Sequence, residues 1–158
     1  MKKFPLALMI GAFTMMALLT ACDNDVVYEE NETIEGASWN AKDGKMFEFD
    51  VEDTLKLYDF YINVRNGEAY PYSNLFLFVE MEFPNGKKSI DTLECPLADP
   101  AGNWYGSGLG DIYDNRIVYQ QRRRFPLSGH YKVGIFQAMR TENLEGIHDI
   151  GFRLGNAK

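Results

Sequence analysis

The sequence predicts an all-β fold, a single antiparallel β-sandwich of jelly-roll-like topology. Short runs of alternating apolar and polar residues recur along the chain, and Gly, Pro and Asn separate them. This arrangement is typical of sandwiches and barrels with antiparallel pairing. Between residues 40 and 158, no stretch of ordinary helix length shows apolar residues at the helical spacing of about 3.6 residues.

The alternation is clearest in five segments, where apolar side chains recur at every second residue and are predicted to face the core. They are Phe47, Phe49 and Val51; Tyr58, Phe60, Ile62 and Val64; Leu75, Leu77, Val79, Met81 and Phe83; Tyr131, Val133 and Ile135; and Ile150, Phe152 and Leu154. Pro84-Asn85-Gly86 predicts a hairpin turn, because Asn-Gly tolerates positive φ. We expect the returning strand from Lys88 to Cys95, and one short helical turn from Met139 to Leu144.

Residues 1–21 have the layout of a secretory signal peptide. Met1-Lys2-Lys3 is positively charged, and the run from Phe4 to Leu19 contains no charge. This run is shorter than the roughly 20 apolar residues that a membrane-spanning helix requires. Leu19-Thr20-Ala21-Cys22 resembles the lipobox of bacterial lipoproteins, whose cysteine is acylated before the chain is cut. We therefore expect residues 1–21 to be removed, and lipid on Cys22 to anchor the protein stably to a membrane.

Residues 22–38 are predicted to form an acidic tether between the lipidated cysteine and a β-sandwich domain of residues 39–158. Six acids and no base lie between Asp23 and Glu35, and such a stretch repels itself and stays extended. Val26-Val27-Tyr28 also fits a short edge strand, so the sequence allows part of this tether to be ordered.

The chain is acidic and almost free of thiols. Its net charge is −7, and loss of Lys2 and Lys3 with the leader takes the mature protein to −9. Nucleic acid is disfavoured as a partner because it requires a basic face. With Cys22 carrying lipid, Cys95 is the only remaining thiol, so no internal disulfide is expected. Cys95 is interpreted as a buried apolar residue rather than as a nucleophile paired with a histidine.

The glycine-rich segment from Gly102 to Asp111 is the most distinctive candidate binding segment. A dinucleotide-binding loop requires glycine where Asp111 stands, and a nucleophile elbow requires glycine where Tyr105 stands. Two interpretations remain open. Either Trp104 closes the edge of the core from within a loop, or Trp104, Tyr105 and Asp111 form a partly exposed loop that recognises a partner or ligand.

The sequence predicts neither a metal site nor a cofactor. Asp99, Asp111 and Asp114 offer oxygen ligands for calcium, but their spacing does not match an EF-hand loop. Zinc is disfavoured because only two histidines, far apart, and one cysteine are available. The basic run Arg122-Arg123-Arg124 is interpreted as a solvated strand end, and a docking patch for an acidic partner or lipid phosphate is the alternative.

Seven segments between Trp39 and Leu154 stand out when they are taken together. They are Tyr61-x-x-x-Arg65-Asn66, Tyr70-Pro71-Tyr72-Ser73-Asn74-Leu75-Phe76-Leu77, Asp91-Thr92-Leu93-Glu94, Trp104-x-Gly106-x-Gly108, Phe125-Pro126-x-x-Gly129-x-Tyr131, Gln137-Ala138-Met139-Arg140, and Leu144-x-Gly146-Ile147-x-Asp149-Ile150-Gly151. In this order they resemble the gliding-motility lipoprotein GldH family. The resemblance implies an outer-membrane or periplasmic lipoprotein tied to gliding or to its associated protein-secretion apparatus, and it carries over no catalytic residue.

Together these patterns predict a lipid-anchored, non-enzymatic accessory component of that machinery. Its expected location is the outer membrane, and its expected partners are other envelope lipoproteins or membrane proteins. A surface carbohydrate-binding module is the alternative, because a sandwich presenting Trp104 and Tyr105 offers rings that stack on sugars. Exposed coplanar aromatic side chains would indicate sugar binding, whereas carboxylates converging in a cleft would indicate a hydrolase.

Replacement of Cys22 by alanine should release the protein from membranes, because the acidic segment after it has no apolar face to hold it there. Fractionation after a high-salt wash measures the release, with the native protein as the control. A Cys22→Ala protein that stays with the membrane as firmly as the native protein contradicts the lipoprotein prediction.

Overall fold

The computed structural model describes residues 25–157, which form ten β-strands and one short 3-10 helix, Glu35–Ala37. The strands are β1 Val26–Thr33, β2 Ser38–Asn40, β3 Lys45–Val51, β4 Tyr58–Gly67, β5 Asn74–Glu82, β6 Lys88–Pro96, β7 Ile112–Arg123, β8 Gly129–Gln137, β9 Asn143–Glu145 and β10 Ile147–Asn156. Within residues 25–157, no helix has the length and apolar character needed to cross a membrane.

The strands pair as nested antiparallel partners. β1 pairs with β10, β2 with β9, β3 with β8, β4 with β7 and β5 with β6, so the chain folds back on itself about the turn after β5. Two four-stranded sheets result: sheet I has the order β1-β10-β4-β7, and sheet II has the order β3-β8-β5-β6. Nested pairing of this kind is that of a jelly roll, so the predicted antiparallel sandwich is confirmed.

The core lies between the inner faces of the two sheets. The ring of Phe49 in sheet II stacks on that of Phe152 in sheet I, with centroids 5.6 Å apart, and on that of Tyr131, 5.9 Å away. Phe125, from the loop after β7, closes one end of this cluster, with its centroid 4.7 Å from that of Tyr131. The apolar side chains of all five alternating segments lie in the core or pack against it, as predicted.

The predicted tether over residues 22–38 is wrong from residue 26 onward, because that part belongs to the folded domain. Val26–Thr33 forms β1 and pairs along its length with β10. Ser38–Asn40 forms β2, and Trp39 within it is fully buried. Only Asp23, Asn24 and Asp25 therefore separate Cys22 from the first strand.

An acidic segment forms a strand here because its charges find partners on neighbouring strands. Tyr28 turns inward, where its ring lies 5.3 Å from that of Phe49. Glu29 turns outward and forms ion pairs with Arg116 of β7 and Arg153 of β10. These arginines lie about 90 and 120 residues along the chain, so a local count of charges does not register them.

The structure differs from the sequence analysis at two further places, an unpredicted strand and a predicted helical turn. β7, Ile112–Arg123, was not predicted although it is the longest strand. It is an edge strand of sheet I in which Ile112 and Val118 are exposed while Asn115 turns inward to buried Asn66, so apolar alternation is weak. The helical turn predicted from Met139 to Leu144 is wrong, because β9 begins at Asn143.

Replacement of Tyr28 by alanine should lower the free energy of unfolding by about 2 kcal/mol, because a half-buried aromatic ring leaves the core. Val27→Ala is the matched control on the same strand, since Val27 is 44% exposed and should change stability little. Chemical denaturation measures both variants. Equal and negligible effects would mean that β1 does not pack as the structure shows.

Candidate functional site: a polar cleft on sheet I

The outer face of sheet I carries a cleft with a volume of about 450 Å³. Strand residues alternate between two faces, so the pattern that turns apolar side chains of β4 and β10 inward turns the intervening polar ones outward. We call this the polar cleft; its lining residues are Glu29, Asn31, Asn63, Val64, Arg65, Ser107, Asp114, Asn115, Arg116 and Asp149. All four strands of the sheet contribute, together with the loop before β7.

Arg65 links two acids across the middle of the polar cleft. The strand register places it opposite both Asp114 and Asp149. Its Nε donates to Asp114 Oδ1 at 2.7 Å, and its Nη1 donates to Asp149 Oδ2 at 3.1 Å. The hydrogen bond to Asp114 raises the pKa of Arg65 above its already high usual value, so the guanidinium stays charged. Thr33 holds the other oxygen of Asp149, donating from Oγ1 at 2.7 Å.

At the other side of the polar cleft the arrangement is reversed: one acid, Glu29, binds two arginines. Its carboxylate accepts hydrogen bonds from Arg116 Nη2 at 3.1 Å, from Asn63 Nδ2 at 2.8 Å, and from Arg153. Burial alone would raise the pKa of Glu29, but the hydrogen bonds from Arg153 and Asn63 and the charges of both arginines outweigh burial and lower it. Glu29 is therefore ionised at neutral pH.

Gly151 forms part of the floor between these two groups. It lies opposite Asn31 on one side and Asn63 on the other. A Cβ at this position would lie 1.9 Å from Asn31 Oδ1 and 2.7 Å from the backbone oxygen of Glu30, so no side chain fits without displacing β1. The absence of a side chain here keeps the face concave.

Two glycines allow the loop before β7 to lie flat along that strand. A Cβ on Gly108 would lie 1.8 Å from the backbone oxygen of Ile112, and one on Gly106 would lie 2.9 Å from Tyr113 Cβ. Between them, Ser107 exchanges backbone hydrogen bonds with Asp114, at 3.1 and 2.7 Å. The Trp104-x-Gly106-x-Gly108 pattern thus closes one side of the polar cleft.

The three residues singled out from the sequence occupy different positions. Trp104 is half-buried, with its ring 5.6 Å from that of Tyr113 and 6.4 Å from that of Tyr70. Tyr105 is 61% exposed and lines a neighbouring pocket at the rim of the polar cleft, which shares Ser107 and Asp114 with it. Asp111 is exposed outside the cleft, where its backbone oxygen accepts a hydrogen bond from Glu68. One exposed ring is not the pair of coplanar rings that would indicate sugar binding.

The carboxylates of the polar cleft converge, but each is bound to an arginine. Glu29, Asp114 and Asp149 all form ion pairs across the strands. Glu29, whose pKa is lowered by hydrogen bonds from Arg153 and Asn63, is a poor proton donor near neutral pH. The arrangement is suited to hydrogen bonding and charge recognition of a bound molecule.

Two other reactive groups, Cys95 and His130, lie away from the polar cleft. Cys95 is fully buried, and burial raises the pKa of its thiol to about 12, which keeps it protonated at neutral pH. His130 lies on the outer face of sheet II, where Asp50 and Glu48 hold its two ring nitrogens. Within residues 25–157, no group of three or more His, Cys, Asp or Glu side chains is placed to hold a metal ion.

Sequence reasoning did not identify the polar cleft. Arg65, Asp149 and Gly151 belong to the segments by which the chain resembles a known family, yet nothing local connects them. Their convergence depends on the register of β10 against β4 and β1. Outward-facing polar residues at alternate positions of those strands were the available signal.

The fold and the polar cleft together define the class of this protein: it is a small jelly-roll domain with a charged, hydrogen-bonding cleft on one sheet. The sequence profile of the GldH lipoprotein family matches residues 26–154, and the chain belongs to that family, as its sequence motifs predicted. It is 43% identical over 152 residues to a gliding motility lipoprotein GldH homolog of Christiangramia forsetii, covering 92% of each chain. It is 38% identical over 144 residues to the gliding motility lipoprotein GldH of Flavobacterium johnsoniae, covering 87% of this chain and 89% of that one.

Solved structures offer only distant likenesses. A family GH115 4-O-methyl-α-glucuronidase, BtGH115A, has a TM-score of 0.48 and 12% identity, with 87% of this chain aligned to 18% of that one. A family 16 carbohydrate-binding module has a TM-score of 0.26 and 8% identity, with 77% and 72% of the two chains aligned. Likenesses this weak carry no argument about function.

Replacement of Trp104 by alanine should lower the free energy of unfolding by about 2–3 kcal/mol, because its ring packs between Tyr70 and Tyr113 at the edge of the core. Its neighbour supplies the control: Tyr105→Ala removes a largely exposed ring and should change stability by less than about 0.5 kcal/mol. Thermal unfolding measures both. An unchanged melting temperature for Trp104→Ala would favour a recognition role for this ring.

Proposed function

We propose that this protein is a non-enzymatic accessory component of the gliding-motility apparatus and its associated protein-secretion machinery, held at the outer membrane by lipid on Cys22. Membership of the GldH lipoprotein family over residues 26–154 is the observation that carries the proposal. The lipobox-like sequence before Cys22 supports the anchor. The polar cleft supports a binding role, since its acids are engaged by arginines.

We further propose that the polar cleft and the adjoining loop contact another envelope protein. Arg65 and Arg116 each keep about half of their side chains exposed while paired within the cleft, so both retain donors for a bound chain. Tyr105 adds an exposed aromatic ring at the rim, a residue type enriched at the centres of protein interfaces. A polar cleft with one aromatic residue fits a protein surface better than a stacked sugar ring.

Site-specific photocrosslinking in intact cells tests the contact. A crosslinking residue at Tyr105 of the lipidated protein should yield a discrete adduct with an envelope protein. The matched control is the same residue at Ile90, which is 65% exposed on the outer face of sheet II. Adducts of equal yield from both positions, or from neither, would contradict a partner site at the polar cleft.

Deletion of the gene tests the wider role. Loss of the protein should abolish colony spreading or the secretion of surface proteins in a gliding host. The native gene should restore both, whereas the Cys22→Ala gene should not, because accessory action requires the anchor. Unchanged spreading and secretion in the deletion strain would contradict the proposed function.

A further inference from the structure

One end of the sandwich carries the route to the lipid. The register of sheet I places Val26 opposite Gly155, Gly155 opposite Asp59, and Tyr58 opposite Arg123. The start of β1 and the end of β7 therefore lie at the same end of the sheet. We call this the anchor end, because the chain leads from Val26 back to Cys22.

Sheet II contributes the turn between β5 and β6 to the anchor end. Phe125, two residues after β7, packs against Phe49 and Tyr131 of sheet II. β8 begins nearby at Gly129, where an added Cβ would lie 3.0 Å from Pro84. The turn that starts at Pro84, with Lys87 in it, is thus next to the loop that follows Arg124.

Bases without an acidic partner concentrate at this end. Residues 25–157 contain 13 of the 16 lysines and arginines, since Lys2, Lys3 and Lys158 lie outside them. Four exposed bases at the anchor end form no ion pair with any residue of this range: Lys56, Lys87, Arg123 and Arg124. Arg140, at the far end, has no such partner either, whereas six other bases each have an acidic one: Lys42, Lys45, Arg65, Arg116, Lys132 and Arg153.

Several carboxylates also lie at the anchor end, and two of them are held by backbone N–H groups. Asp53 accepts the backbone N–H of Leu55, and Asp59 accepts that of Arg122. Asp25, Glu52 and Asp50 also lie there, and Asp50 is bound to His130. Lys88, also at this end, is already engaged by two glutamates of β5. In a mature protein of charge −9, acids and bases nearly balance at this end, so most of the net negative charge lies elsewhere.

Apolar side chains are exposed beside these bases. Leu55, in the loop before β4, is 79% exposed, and Leu127, in the loop before β8, is 36% exposed. Basic side chains with adjacent exposed leucines are a combination that binds the interface of an anionic bilayer, the bases to phosphates and the leucines to the acyl boundary.

We propose that the anchor end binds the anionic phospholipid headgroups of the membrane that holds the lipid. The proposal rests on the lipidation of Cys22. Four residue steps from Cys22 to Val26 span at most about 14 Å, so the lipid holds the anchor end close to the bilayer surface. This span is an upper limit, so the anchor end can come within the screening length of about 8 Å over which headgroup charge acts at physiological ionic strength.

Binding of the anchor end to the bilayer gives the domain a defined orientation. β7 runs from Ile112, at the far end of sheet I, to Arg123 at the anchor end. The loop with Trp104 and Tyr105 precedes Ile112 and therefore lies at the end away from the bilayer. Repulsion of the acidic remainder by anionic lipid favours the same orientation.

Fluorescence quenching in reconstituted vesicles tests the orientation. The lipidated full protein carries a fluorophore on a cysteine at Ser128→Cys, at the anchor end, or at Leu109→Cys, in the far loop; buried Cys95 stays unlabelled. Vesicles of phosphatidylcholine, with or without phosphatidylglycerol, carry quencher on their headgroups. The label at position 128 should be quenched more strongly with phosphatidylglycerol, and high salt should reverse the gain. The label at position 109 should not respond.

Charge-matched variants distinguish an effect of the anchor end from an effect of the protein's net charge. Arg123→Gln with Arg124→Gln should lower the phosphatidylglycerol-dependent quenching at position 128 roughly threefold or more. Lys42→Gln with Arg140→Gln makes the same change in charge at the far end and should leave it unaltered. Native protein that does not float with vesicles overturns both the lipid anchor and this inference. Protein that floats, but whose quenching ignores phosphatidylglycerol or the two arginines, overturns this inference alone.

Discussion

The structure depends on the insertion of β10, the last strand, between β1 and β4. Every second side chain of β10 enters the core, and Phe152 contacts aromatic rings from both sheets, including Phe47, Phe49 and Phe60. Of the outward-facing residues between them, Asp149 lines the polar cleft, and Arg153 forms an ion pair with Glu29 of the cleft. Core and cleft are thus two faces of one strand. Because β10 pairs with the first strand of the domain, neither face is complete until both ends of the chain have come together.

Charge is distributed over this frame in two different ways. On sheet I, acids and arginines from different strands satisfy one another, which lets an acidic edge strand such as β1 pair without repulsion. At the anchor end, four bases have no acidic partner within the described chain. A protein with a net negative charge thereby gains two unlike ends, one where β1 begins and one that carries the Trp104 loop.

The sequence predicted the strands in which apolar residues mark the buried face. It missed the strands in which residue type does not follow burial. β4, β5 and β8 each have one face in the core, and a two-residue period reveals them. Burial also alternates along β7, but residue type does not follow it, because Asn115 faces inward while Ile112 and Val118 face outward. The acidic sequence of β1 has the pattern of a solvated segment, because the arginines that neutralise Glu29 are more than 80 residues away in the chain. The polar cleft was missed for the same reason.

The sequence by itself determined the all-β class, the core-facing strands and the family. Local periodicity and short motifs determine these properties, and both can be recognised without knowing which residues lie opposite on the neighbouring strand. Only the tertiary structure decided that residues 26–38 belong to the domain, that Arg65 bridges Asp114 and Asp149, and that unpaired bases gather at the end where β1 begins. Strand register sets each of these, and register joins residues whose separation along the chain leaves no local signal.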